Sequence, residues 1–96
     1  MSTETEQRRR EELAAFLRSR RARVDRAALH LPPVARSRVP GLRREEVAAL
    51  AGVSSTWYTW LEQARPINPS RSVLEAIARL FGLSASESDY LLRLGG

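Results

Sequence analysis

The sequence contains no cysteine and no lysine, and His30 is its only histidine. The lack of cysteine excludes a disulfide scaffold and a thiolate metal site, and it favours a cytoplasmic location. No second histidine and no cysteine is present to activate a nucleophile, and no glycine-rich phosphate loop occurs. We therefore expect a protein that is not an enzyme, has no catalytic residues, and binds no metal and no cofactor.

Long apolar runs are also missing. No run approaches the roughly 18 apolar residues that indicate a membrane span. The basic residues 8–10 resemble the start of a secretory signal, but Arg18, Arg20 and Arg21 interrupt the apolar residues that follow. We expect no membrane segment and no signal peptide. With 96 residues, of which 43% are hydrophobic and 28% charged, the chain is long enough for one small domain with a single core.

The positive charge is concentrated in the first half of the chain. All 16 basic residues are arginine. Residues 1–44 contain 12 arginines and 5 acidic residues, whereas residues 45–96 contain 4 arginines and 6 acidic residues. GC-rich codon usage accounts for the absence of lysine, but it does not account for this clustering. Together with a pI near 11.2, the asymmetry indicates a polyanionic partner.

Residues 44–63 predict two helices joined by a sharp turn. Gly52 allows a positive φ at the turn, and the Ser54 hydroxyl can cap the second helix. Tyr58 and Leu61, three residues apart, would face the core, and short polar side chains would face outward. This pattern is typical of a helix-turn-helix, in which the second helix lies in the major groove of DNA.

The outward face of the second helix, about residues 55–63, supplies the candidate site. Short polar side chains bring a helix close to base edges, and guanidinium groups at helix starts bind phosphate. The base-reading candidates are Ser55, Thr56, Thr59 and Trp60. The phosphate-binding candidates are Arg43, Arg44, Ser54, Gln63 and Arg65. The polar residues could instead be merely exposed, Trp60 could pack on a partner subunit, and any one arginine could form a surface salt bridge.

The rest of the chain predicts an all-α domain of five helices around one core. We expect a flexible N-terminus at residues 1–10 and the helix-turn-helix domain at residues 11–96, beginning with a helix from about Glu11 to Val24. Residues 25–41 form a long connection in which Ala27 to Leu31 could make one helical turn. Arg36 and Arg38 in this connection could form an arm along the DNA or part of a surface loop.

Capping patterns mark the starts of the last two helices, and two residues of the second motif helix are expected to have structural roles. Ser72 with Glu75, and Ser84 with Glu87, have the spacing of capping boxes. Glu62 is expected to have a structural role, either pairing with an arginine or capping within the domain, and Trp57 is expected to be half-buried.

Residues 42–54, Leu-Arg-Arg-Glu-Glu-Val-Ala-Ala-Leu-Ala-Gly-Val-Ser, and 57–63, Trp-Tyr-Thr-Trp-Leu-Glu-Gln, resemble the XRE-type (lambda-repressor-like) helix-turn-helix regulators. More narrowly, they resemble the MmyB-like branch of actinobacteria, and the likeness extends from about Arg10 to the C-terminus. The resemblance implies a compact five-helix domain that binds operator DNA in the bacterial cytoplasm and regulates transcription. Family members often carry glycine where this chain has Ala64, so we expect the second motif helix to run one residue further.

The resemblance also implies partners. Family members usually continue into a larger ligand-binding domain, so we expect no small-molecule effector to bind within this segment. Double-stranded operator DNA is the expected partner, bound by two copies as a homodimer, although no residue identifies the contact surface. The alternative is a protein-interaction module that keeps the helix-turn-helix fold and binds a partner protein, for example through Trp57 and Trp60.

Overall fold

The computed structural model describes residues 3–33 and 41–96, which form five α-helices and one short 3₁₀ helix, with no strand in these two ranges. The α-helices are α1 (Thr3–Ala22), α2 (Arg44–Ala51), α3 (Ser55–Glu62), α4 (Arg71–Leu80) and α5 (Ala85–Leu94). Helix α1 packs against α3 and α5, α2 packs against α3 and α4, and α4 packs against α5. The expected all-α architecture with five helices is confirmed.

One apolar core lies between the five helices. The apolar positions that recur at helical spacing in each segment point into it, as the sequence pattern predicted. Its members are Leu13, Leu17, Leu42, Val47, Ala48, Tyr58, Leu61, Leu74, Ile77, Ala78, Leu91 and Leu94. Leu42 is fully buried although it precedes α2, and its backbone N–H donates to the Arg21 carbonyl at 3.2 Å. The start of α2 is thereby attached to the end of α1.

Helix α1 begins at Thr3, about eight residues earlier than predicted, and ends at Ala22. Most of residues 1–10, which we assigned to a flexible N-terminus, therefore belong to a helix. This stretch has no apolar stripe that would reveal a helix. Side-chain pairs one turn apart support it instead, because Arg8 lies 3.5 Å from Glu4 and Arg10 lies 3.5 Å from Glu6.

The helix boundaries around the turns follow local capping rules, with one correction. Gly52 has a φ of 77°, Ser54 accepts a hydrogen bond from the Trp57 N–H at 3.0 Å, and Ser84 forms the predicted capping box with Glu87. For α4 the predicted cap at Ser72 is wrong. Ser70 caps this helix by accepting from the Val73 N–H at 3.2 Å, and Ser72 lies inside the first turn.

The expectation for Ala64 is also wrong. Helix α3 ends at Glu62, and Ala64 adopts the left-handed conformation with a φ of 60°. Its N–H donates to the Leu61 carbonyl, and the Arg65 N–H donates to the Trp60 carbonyl at 3.1 Å. These two bonds form the Schellman motif that normally has glycine at this position. Alanine therefore occupies a glycine conformation, at a cost of about 1–2 kcal/mol.

The structure describes the connection between α1 and α2 except for residues 34–40. The 3₁₀ helix Arg26–Leu29 confirms a helical turn here, although it begins one residue earlier and ends two residues earlier than the predicted turn from Ala27 to Leu31. Gly41 has a φ of 78°, and a side chain there would collide with the Arg21 carbonyl, so glycine is required where the chain returns to α1. Arg36 and Arg38 lie outside the described residues.

Candidate nucleic-acid interface

Helices α2 and α3 form the two arms of a helix-turn-helix. The turn is closed by hydrogen bonds from the Gly52 N–H to the Ala49 carbonyl and from the Val53 N–H to the Ala48 carbonyl. Because the Ser54 hydroxyl caps the amino end of α3, the new helix starts directly after the turn. The short polar residues predicted for the outward face therefore lie in the first turns of a well-defined helix.

The two faces of α3 differ in burial. Tyr58, Leu61 and Glu62 are buried, and burial raises the pKa of Tyr58, which keeps its hydroxyl protonated. Ser55 and Thr56 are exposed, and so is Trp60, which leaves 38% of its surface accessible. Thr59 is only half-exposed, and Trp57 is half-buried against the core as expected. Of the base-reading candidates, Ser55 and Thr56 are thus the most accessible polar groups.

Glu62, at the end of α3, is a buried carboxylate that binds two arginines. Its oxygens accept from Arg21 Nε at 2.7 Å and Arg21 Nη2 at 2.9 Å, and from Arg44 Nε at 2.9 Å. Burial opposes its ionisation, but the hydrogen bonds from Arg21 and its other donors outweigh this, so that its pKa stays below the usual value. The prediction that Glu62 pairs with an arginine is confirmed, and the pair connects α3 to both α1 and the start of α2.

The two arginines at the start of α2 are placed differently. Arg43 is exposed, and its backbone N–H donates to Glu46 Oε1 at 2.8 Å. Arg44 uses its Nε to bind Glu62, and 38% of its side chain remains accessible. Part of the Arg44 guanidinium is therefore committed inside the domain, which the sequence could not reveal because Glu62 lies on a different helix.

Arg26 holds the start of α2 from the other side. Its guanidinium binds both oxygens of Glu46, at 2.6 and 2.8 Å, and also donates to the carbonyls of Pro32 and Gly41. The hydrogen bonds from Arg26 lower the pKa of Glu46 to about 2. Arg26 thus binds residues on both sides of residues 34–40, and it joins them to Glu46 in the first turn of α2.

The carboxyl end of α3 carries a cluster formed by Trp60, Gln63 and Arg65, here called the α3 end cluster. The Arg65 guanidinium carbon lies 5.6 Å from the centroid of the Trp60 ring, within the range of a cation–π contact. Arg65 Nε donates to Gln63 Oε1 at 3.2 Å. Three residues that were predicted separately as DNA contacts are therefore one connected group.

Many arginines of α1 are used inside the domain. Arg18 Nη1 donates to the Glu62 carbonyl at 2.6 Å, Arg9 Nη1 donates to the Leu94 carbonyl at 2.6 Å, and Arg20 pairs with Glu87 at 2.6 Å. With Arg21, they bind groups on α3 and α5. The clustering of charge in the first half of the sequence therefore reflects contacts between helices to a large extent, and not only a binding surface.

Within residues 3–33 and 41–96, no group of three or more His, Cys, Asp or Glu side chains is arranged to hold a metal ion. In the same part of the chain, none of the helices combines the length and the apolar character needed to cross a membrane. Helix α1 has 20 residues, but it is strongly charged.

Comparison with known proteins agrees with the geometry of α2, the turn and α3. A family model described as a helix-turn-helix domain matches residues 12–91. No curated protein and no solved structure matches the chain. The matched region runs from α1 into α5 and contains the whole motif, so the chain belongs to the helix-turn-helix domain family.

Proposed function

We propose that this protein is a sequence-specific DNA-binding regulator of transcription, with α3 lying in the major groove. The observation that carries the proposal is that α3 follows a sharp turn at Gly52 and exposes Ser55 and Thr56 on its outward side. Small hydroxyl side chains let a helix approach base edges closely and can both donate and accept hydrogen bonds. Arg43 directly precedes α2, Arg65 follows α3, and both arginines are exposed.

Base reading is assigned to the amino-terminal half of α3. Ser55 and Thr56 are the primary readers because they are exposed. Thr59, one turn further along, presents a half-exposed side chain whose methyl group suits a thymine methyl. Trp60 lies at the edge of this face and is assigned below.

Phosphate binding is assigned to Arg43, Arg44 and Arg65, with Ser54 and Gln63 as neutral contacts at the two ends of α3. Arg43 is the strongest anchor, because its side chain is exposed and it stands at the amino end of α2, where unpaired amides favour an anion. Arg44 can contact phosphate only with the part of its guanidinium that Glu62 does not use. These contacts set affinity and register, and they do not select a sequence.

We further infer that the protein belongs to the MmyB-like branch of the XRE-type regulators, acts in the bacterial cytoplasm, and binds a palindromic or repeated operator as a homodimer. The motif residues 42–54 and 57–63 support the branch. One short helix reads only a few base pairs, so a second copy is needed for a site of useful length.

A protein-interaction module with the same fold is the second candidate. It is favoured by two exposed apolar side chains of the motif, Leu50 with 55% of its surface accessible and Trp60 with 38%. The two candidates are separated by selecting bound sequences from random double-stranded DNA at moderate salt. Enrichment of one sequence supports the regulator, whereas no enrichment by a folded protein supports the interaction module.

A further inference from the structure

We propose that Trp60 and Gln63 are positioning residues that hold Arg65 in place for a DNA phosphate, and that Trp60 makes no base contact of its own. The inference rests on the proposed function, because it assigns roles within the same DNA-binding surface. It starts from the α3 end cluster, in which one exposed guanidinium is fixed on two sides. A guanidinium that is already ordered loses less conformational entropy on binding than a free one.

The first constraint on Arg65 is the ring of Trp60. The guanidinium carbon lies 5.6 Å from the ring centroid, so the arginine covers part of the indole face. A ring that is covered in this way is less available for packing against a base or a sugar. The exposure of Trp60 is therefore better explained by its support of Arg65 than by a separate DNA contact.

The second constraint is the Gln63 side chain. Its Oε1 accepts from Arg65 Nε, which leaves the terminal nitrogens of the guanidinium as the groups that can meet an incoming phosphate. Gln63 uses only its oxygen for this bond, so its amide N–H groups remain free to donate to a phosphate while the side chain also holds Arg65.

The third constraint is the backbone. The Arg65 N–H donates to the Trp60 carbonyl, so the same two residues are joined by a main-chain bond as well as by their side chains. The turn requires a left-handed φ at Ala64, which an alanine rarely adopts. Strained backbone that persists next to a binding surface is typical of sites where a side chain must be held in one direction.

The salt dependence of DNA binding tests this role. Each phosphate that a protein neutralises contributes about 0.9 to the slope of log affinity against log salt concentration. Arg65→Ala should make the slope shallower by about 0.9 and weaken binding roughly tenfold at moderate salt. Trp60→Ala and Trp60→Leu remove no charge, but both should make the slope shallower by about 0.5 to 0.9 because Arg65 loses its support. Trp60→Phe keeps an aromatic face and should keep the wild-type slope.

The double variant Trp60→Ala with Arg65→Ala should show the same slope as Arg65→Ala alone. Arg93→Ala serves as the charge control, because Arg93 is exposed on α5 away from the motif and its removal should leave the slope unchanged. Circular dichroism of every variant checks that the fold is kept.

Three results would overturn the inference while leaving the proposed function intact. A loss of affinity in Trp60→Ala with the wild-type slope and an altered base preference would make Trp60 a direct DNA contact. Wild-type binding by Trp60→Ala would show that Arg65 needs no support. An unchanged slope in Arg65→Ala would remove its phosphate contact, while sequence-specific binding by the wild type would leave the proposed function intact. If the folded wild type selects no DNA sequence, the proposed function itself fails and the inference fails with it.

Discussion

Arg21 and Glu62 form a buried, two-point ion pair across 41 residues of sequence, with N–O distances of 2.7 and 2.9 Å. The same Arg21 donates through Nη1 to the Leu42 carbonyl at 3.0 Å. The pair therefore fixes three parts of the domain against one another: the end of α1, the start of α2 and the end of α3. The orientation of the proposed reading helix depends on it.

Removing either partner of this pair should destabilise the protein strongly. Glu62→Ala leaves Arg21 buried without a carboxylate, and Arg21→Ala leaves Glu62 buried with only the bond from Arg44 Nε, so each should cost about 3–5 kcal/mol in the free energy of unfolding. Urea denaturation followed by circular dichroism measures the loss. The control is Arg71→Ala, which breaks an ion pair with Glu75 on the surface of α4, where 76% of the arginine side chain is accessible. It should cost less than about 1 kcal/mol. Equal losses in the two cases would contradict a structural role for the buried pair.

Acid should weaken the fold through Glu46. Its pKa is lowered from 4.5 to about 2 in the folded protein, so the folded state keeps the carboxylate charged where the unfolded chain binds a proton. The stability from the Arg26–Glu46 pair is complete above pH 4.5 and is lost as the pH falls towards 2. Glu46 is partly accessible, so the expected contribution is about 1–2 kcal/mol.

The measurement is the free energy of unfolding as a function of pH for the wild type and Glu46→Gln. The variant should be less stable at pH 7 and should lose less stability between pH 4.5 and 2. Glu45→Gln changes the neighbouring, exposed carboxylate and should follow the wild-type curve. Parallel curves for the wild type and Glu46→Gln would contradict the assignment.

Ala64→Gly should stabilise the protein by about 0.5–1 kcal/mol. Glycine removes the strain of the left-handed conformation, and this gain exceeds the added flexibility of the unfolded chain. Gly52→Ala is the matched opposite, because Gly52 has a φ of 77° and its missing side chain would meet no atom within 4 Å. It should destabilise by about 1 kcal/mol through conformation alone. Thermal unfolding of both variants checks the pair, and a loss of stability in Ala64→Gly would show that the turn is not strained.

DNA affinity and DNA selectivity should respond to different substitutions. Arg43→Ala should weaken binding to all sequences by a similar factor and make the salt slope shallower by about one, because Arg43 is assigned to phosphate. Thr56→Ala should change the base preference at one position and leave the slope unchanged. Binding titrations at several salt concentrations, with matched and mismatched DNA, measure both effects. A position-specific loss in Arg43→Ala would contradict its assignment.

Arg44→Ala should show a mixed effect. It removes a phosphate contact in the proposed complex, and it also removes one of the hydrogen bonds that Glu62 accepts inside the domain. A lower unfolding temperature should therefore accompany a shallower salt slope. Arg43→Ala provides the comparison, because it should change the slope without changing the unfolding temperature.

The sequence predicted those features that depend on near neighbours. The Gly52 turn, the Ser54 cap and the Ser84–Glu87 capping box are set by residues within four positions of one another, so their spacing was sufficient. The same reasoning failed at α4, because Ser70 and Ser72 both fit an N-cap and only the structure shows which one precedes the first turn.

The sequence could not predict features that depend on distant contacts. The left-handed conformation of Ala64 is stabilised by two backbone hydrogen bonds, from the Ala64 N–H to the Leu61 carbonyl and from the Arg65 N–H to the Trp60 carbonyl. Alanine alone would favour a longer helix. The helical stretch at the start of α1 has no apolar periodicity. The carboxylate partners of Arg21, Arg26 and Arg44 lie 18 to 41 residues away, so these side chains could not be separated from free surface arginines.

Selection of bound sequences from a random double-stranded DNA library tests whether α3 reads DNA through its exposed hydroxyl side chains. The wild type should enrich one short motif, and a variant with Ser55→Ala and Thr56→Ala should enrich a different or a weaker motif while keeping its fold and its salt slope. If the folded wild type enriches no motif, or if the variant enriches the same motif with the same strength, these hydroxyl side chains do not read DNA.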